Sequence, residues 1–150
     1  GPESLHAVLA EHVWEHLTPR EAMIAAANCF KYLKPGAYLR AAVPDGFHPD
    51  PEYIEWVRPD GKGPGADDHK VLYTYQTFSR VFTSVGFDVA LYEYFDEYGE
   101  FQSVEWDPGD GMIRHSRRFD SQLIDRKDTG GPLNFTSIIL DAKKPVYGKS

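Results

Sequence analysis

The sequence has a single cysteine, Cys29. That excludes an intrachain disulfide and any zinc cluster built from cysteines, and it suits a reducing compartment, so a cytoplasmic location is expected. No stretch approaches the roughly 20 apolar residues of a membrane-spanning helix. The first residues lack the basic segment and apolar run of a secretory signal, so no membrane partner is expected. Positive charge is in short supply: 16 Lys and Arg face 23 Asp and Glu, a formal net charge of -7. Such a surface repels phosphate backbones, and no nucleic-acid partner is expected. Internal repeats and low-complexity runs are also missing.

What is present is ordinary globular material. Apolar residues make up 41% and aromatics 14% of 150 residues, enough for one domain over residues 1–150 that buries roughly 68–70% of its unfolded surface. Leu5–Ala10 is a short apolar run without helical period and reads as a buried strand. Thr18, Pro19 and Glu21 form a helix start, with threonine as cap, proline in the first turn and glutamate completing a capping box. Met23, Ala26, Ala27, Phe30 and Leu33 follow as an apolar stripe expected to face a sheet. Lys34-Pro35-Gly36 should stop that helix, and Tyr38–Val43 reads as the next strand. Strand, helix and strand within about 40 residues has the size of a parallel crossover unit.

Residues 44–70 are rich in Pro, Gly and Asp and read as a long loop, as do 96–132. Between them a helix is expected from Gln76 to Val85, with Phe78, Val81, Phe82 and Val85 on its apolar face and Gly86 as its stop. A strand follows over Phe87–Phe95. The last strand, Phe135–Ala142, comes after another strand with no helix between, so antiparallel insertion is expected. The pattern is α/β, with about four strands, mostly parallel, and at least two helices.

Ala10–Leu17 (AEHVWEHL), Leu33–Arg40 (LKPGAYLR) and Val43–Asp45 closely resemble the "EHVLEHL … LKPGGxLRIxVPD" signature of class I S-adenosylmethionine-dependent methyltransferases. Gly65–Lys70, Tyr92–Glu97 and Arg117–Asp120 resemble a bacterial subgroup of predicted methyltransferases. The resemblance covers about residues 4–145. It implies a partial Rossmann-like methyltransferase fold, the C-terminal half of the family's domain, with S-adenosylmethionine as cofactor and a small molecule as methyl acceptor. The family's glycine-rich cofactor turn has no counterpart before Leu5. Gly61, Gly63 and Gly65 fall in a loop and read as loop punctuation. The expectation is therefore a truncated member that does not bind cofactor or catalyse alone. Its Leu5–Ala10 edge would be left unpaired and covered in a homodimer.

The candidate site residues cluster in two places. Glu11, His12, Glu15 and His16 fall at the carboxyl end of a parallel strand, the edge where open α/β sheets bind ligands. In similar methyltransferases this segment borders the cofactor, which makes Glu11 and His12 candidate cofactor contacts and Glu15 and His16 part of the substrate pocket. The alternative is a strand-to-helix turn with its polar groups satisfied locally. Asp45, His48, Asp67, Asp68, His69 and Lys70 lie in or beside the 44–70 loop. They could form an acceptor-binding lid with Asp45, Asp68 and Lys70 in the pocket and His48 or His69 as proton acceptor. A metal held by His and Asp, or a solvated loop, are the alternatives.

His12-x-x-Glu15-His16 also matches the zinc-peptidase pattern H-x-x-E-H. The Thr18 cap puts it ahead of the helix, where the two histidines would not share a helical face, so no metal is assigned; a non-enzymatic homo-oligomeric binding module and a metal-dependent hydrolase are the alternatives to the methyltransferase reading. The aromatic set Trp56, Tyr73, Tyr75, Tyr92, Tyr94, Tyr98 and Trp106 is expected to pack in the core or an interface. Arg114, Arg117 and Arg118 are expected to pair with acids such as Asp110 and Asp120.

Overall fold

A computed structural model describes residues 1–116 and 136–146. Five strands form one mixed sheet: β1 (Leu5–Glu11), β2 (Leu33–Pro44), β3 (Asp88–Phe95), β4 (Phe101–Ser103) and β5 (Ser137–Lys143). Their spatial order is β1-β2-β5-β3-β4. β1 and β2 pair in parallel. β5 inserts antiparallel between β2 and β3, and β4 closes the far edge against β3. β1, β2 and β3 therefore run one way and β5 and β4 the other. The expected α/β class, the parallel first pair and the antiparallel last strand are all present. The expected strand start at Phe135 lies outside the described residues.

Between β1 and β2 runs α1 (Pro19–Tyr32). Thr18 Oγ1 accepts from the Glu21 amide and Glu21 Oε1 accepts from the Thr18 amide, so the capping box is formed as the sequence implies. Its buried face differs from the expected stripe. Ala22 and Ala26 are fully buried, with Ala25, Cys29 and Phe30 beside them, whereas Met23 and Ala27 are exposed. Small side chains let the helix axis lie close to the sheet, and this rotates the contact face by about one position. β2 begins at Leu33, directly after the helix, and runs through Lys34-Pro35-Gly36, where Gly36 takes a left-handed φ of 82°.

The apolar alternation along the strands separates two faces. Leu39, Ala41 and Val43 of β2 and Ile138, Leu140 and Ala142 of β5 face α1 and α3 (Tyr75–Thr83) in the main core. Phe78 and Phe82 of α3 are fully buried there, and Val81 and Val85 pack against them as the spacing predicts. On the other face Ala42 and Ile139 meet Trp106, Met112 and Ile113 of the segment after β4. A buried ion pair crosses this face. Arg40 donates from Nε and Nη2 to the two carboxylate oxygens of Asp141, at 2.8 and 3.0 Å. Arg40 Nη1 donates to the carbonyls of Asp107 and Gly111, and Tyr92 donates to Asp141.

Three sequence expectations need correction. β1 lies at the sheet edge, as the resemblance implied, but it is not buried, with Leu5 42% and Leu9 51% exposed. Among the described residues no strand pairs with its outer side. The 44–70 segment carries α2 (Pro51–Val57), capped by Asp50, whose side chain accepts from the Glu52 amide, with Pro51 in the first turn. The 96–132 segment carries β4, a three-residue strand too short to show a period. Arg117, Arg118, Asp120 and Arg126 lie outside the described residues.

A histidine-lined cleft as candidate functional site

The chain leaves β1 at Glu11 through a tight reversal. His12 adopts a left-handed backbone, φ 57°, and its amide still donates to the Ala42 carbonyl of β2. A non-glycine residue in this region is sparsely populated and costs of order 1–3 kcal/mol. The strain directs Val13–Leu17 across the carboxyl ends of β1 and β2, and Trp14–His16 form a single 3-10 turn before α1. The zinc-peptidase geometry is therefore not formed, because His12 and His16 do not share an α-helical face.

Above this edge lies a cleft of about 900 Å³. Its floor is His12, Glu15, His16 and Pro44. α2 supplies Tyr53, Trp56 and Val57, and the following loop supplies Gly63–Gly65 and His69. His115 and Thr136 close the remaining side. Four of the six histidines thus meet at one place. His12 and His115 stack with ring centroids 4.5 Å apart, and His16 meets His69 edge-on at 4.7 Å. The loop is tied down at the point where it matters: the Glu15 carbonyl accepts from the amides of Lys70 and Val71, which brings His69 against Glu15 and His16.

Local environment sets the electrostatics. Burial and the neighbouring His115 push His12 down to about 4, and its Nε2 is 2.7 Å from Ser137 Oγ. Burial pushes Glu15 up to about 7; one of its oxygens, Oε1, is buried without a hydrogen-bond partner among the described residues. Glu11 is the reverse case. Burial pushes its carboxyl up, but the His115 ring and the amides of Arg114 and His115 outweigh that and hold it below the ordinary range.

The structure brings His12, Glu15, His16 and His69 of the expected site together on the cleft wall. Glu11 stands behind the wall, orienting His115. His48, the other expected proton acceptor, is not on the wall. Its ring packs between Tyr53 and Phe95, and its Nδ1 accepts from the Asp50 amide. Asp45 is fully buried and holds the amides of Phe47 and Phe95, a structural arrangement that fixes the exit from β2. Burial pushes its carboxyl up to about 6. Asp68 and Lys70 lie at the rim, paired with each other at 3.5 Å, while Asp68 also approaches His16 Nδ1 at 3.3 Å. Trp56 and His115 were not expected here. The Pro51 helix start preceded by Asp50 was the signal for the first; nothing in sequence pointed to the second, which reaches the site through the long segment after β4.

Two of the loop glycines are required by close packing. A Cβ on Gly63 would lie 2.6 Å from Trp56 Cδ1, and one on Gly61 would lie 2.6 Å from the Glu55 carbonyl, so both let the loop lie against α2.

No family model and no curated protein matches the sequence. Solved structures do. A S-adenosylmethionine-dependent methyltransferase from Archaeoglobus fulgidus aligns at 17% identity over 95% of this chain and 61% of its own, TM-score 0.56. One from Thermotoga maritima aligns at 12% identity over 95% and 57%, TM-score 0.56. One from Methanosarcina mazei aligns at 12% over 97% and 61%, TM-score 0.52. The chain spans about three-fifths of the length of these structures, and it has the fold of the class I S-adenosylmethionine-dependent methyltransferases.

Proposed function

We propose that this chain is a methyltransferase-family member whose cleft forms the acceptor side of the site and one wall of the cofactor site. The observation that carries the reading is the cleft's position, at the carboxyl ends of the parallel pair β1 and β2 in a methyltransferase fold. His12 would border the cofactor, with Glu11 behind it orienting His115, and Glu15 and His16 would border the acceptor, with Asp68 and Lys70 at the rim. Between the two candidate proton acceptors, His69 is favoured over His48, because His69 faces the cleft. Methyl transfer relies on aligning the acceptor nucleophile with the sulfonium methyl group, and a preformed pocket supplies much of that proximity. The chain is not expected to hold the cofactor unaided, since Gly61 and Gly63 are taken up by packing on α2.

Calorimetric titration of the chain with S-adenosylmethionine tests this. The expected result is weak, millimolar binding. Micromolar binding would overturn the partial-site reading, and no binding at millimolar concentration would remove the methyltransferase reading.

A second reading is a homodimeric binding module, favoured by the edge of β1, which has no partner strand among the described residues and leaves Leu5 and Leu9 exposed. Sedimentation equilibrium decides it: a dimer is expected, and a monomer at high concentration would refute it.

A further inference from the structure

Glu15, His16 and His69 each place a metal-ligating atom within 4.8 Å of the other two. The two histidines belong to different parts of the chain, one in the turn after β1 and one at the end of the α2 loop. The backbone bonds from Lys70 and Val71 to the Glu15 carbonyl hold them together.

The ring orientations are informative. His69 Nδ1 faces the Val57 carbonyl and His16 Nδ1 faces the Asp68 carbonyl at 3.3 Å. A carbonyl only accepts, so each Nδ1 carries the proton, and each neutral ring leaves Nε2 as a lone-pair donor. A backbone carbonyl on the far ring nitrogen is the arrangement that orients histidine ligands to metals. His16 Nε2 lies 3.8 Å from Glu15 Oε2. Ligands on one tetrahedral zinc ion are about 3.4 Å apart, from bond lengths near 2.1 Å, so this pair is within about half an ångström of ligand spacing.

The second observation is Glu15 itself. It is 1% exposed on the wall of the cleft, and Oε1 has no hydrogen-bond partner among the described residues. A buried carboxylate oxygen with nothing to accept from is unfavourable when charged, and a bound cation offsets that.

We propose that Glu15, His16 and His69 form a three-ligand site for a divalent transition-metal ion, with its open coordination position facing the cleft. Two histidines and one carboxylate are the donor set of catalytic zinc sites and of non-haem iron sites, both of which keep a position for water or substrate. This goes beyond the proposed methyl transfer and does not depend on it. In the metal-loaded protein His69 is a ligand, and a bound acceptor would be polarised by the ion rather than deprotonated by a free imidazole.

The test uses the full chain stripped with chelator and titrated with Zn2+ by calorimetry. One ion per chain at micromolar or tighter affinity is expected, weakened at least about tenfold by His16→Ala and by His69→Ala, with circular dichroism reporting that each variant is folded. Co2+ added to the unaltered chain provides a readout that needs no variant. An intense visible spectrum of a four- or five-coordinate ion supports the site. The weak spectrum of the hydrated ion, Zn2+ binding weaker than millimolar, or affinity unchanged in both folded histidine variants overturns it. Cofactor binding is not read in any arm, so failure here is separate from failure of the methyltransferase reading.

Discussion

Replacing Asp141 with alanine should be among the most damaging single changes outside the main core. Arg40 and Asp141 side chains are 3% and 5% exposed, and the pair is bidentate. Removing the carboxylate leaves the guanidinium buried, with Nε and Nη2 unpaired and the Tyr92 hydroxyl without its acceptor. The two Nη1 bonds to Asp107 and Gly111 survive. Stranding one partner of a buried pair costs about 3–5 kcal/mol. At about 2–4 °C per kcal/mol for a chain of this size, the thermal midpoint should fall by roughly 6–20 °C. Thermal unfolding followed by far-ultraviolet circular dichroism measures this, and urea unfolding gives the free-energy loss. The double variant Arg40→Met with Asp141→Leu should lie within about 1–2 kcal/mol of the parent, because it removes the desolvation cost along with the attraction. A loss below about 1 kcal/mol in Asp141→Ala, or a double variant as unstable as the single one, would refute the reasoning.

Asp45→Asn tests a pH dependence. The folded carboxyl titrates near 6, against about 4 in the unfolded chain. The folded state therefore binds the proton more tightly, and this group's contribution to stability falls as pH rises from about 4 to 6. Two units correspond to about 3 kcal/mol, so the parent-minus-variant difference in unfolding free energy should drop by about that much between pH 4 and 7; a flat difference contradicts the assignment. Gly63→Ala places a methyl 2.6 Å from Trp56; about 1–3 kcal/mol of lost stability is expected, with faster amide exchange at Ala66 and His69. Thr18→Ala breaks the capping box of α1 and should cost about 1 kcal/mol in thermal unfolding.

Much of the frame was legible because local signals and the global fold agree. Thr18, Pro19 and Glu21 announce α1, the apolar face of α3 follows from Phe78, Val81, Phe82 and Val85, and a last strand with no preceding helix inserts antiparallel. The errors have physical causes. Leu5–Ala10 is apolar, yet apolarity alone does not bury a strand that lies at the sheet edge. β2 starts at Leu33 because Pro35 and Gly36, which break helices, do not break a strand whose register is irregular there. The site was half legible. Glu11–His16 stood out as the end of a parallel strand, and His69 as a loop histidine. His48 and Asp45 were equally plausible by type, but burial against Tyr53 and Phe95, or under two backbone amides, takes them out of the cleft wall. His115 joins only through tertiary packing, across 104 residues from Glu11.

The six histidines make the most direct test of the central claim, because His12, His16, His69 and His115 line the cleft while His6 and His48 do not. Ring resonances of the isotope-labelled chain can be followed as S-adenosylhomocysteine is added to millimolar concentration. The account predicts that His12 and His115 shift together in a saturating manner while His6 stays fixed. Unmoved His12 and His115, with shifts elsewhere or nowhere, would contradict it.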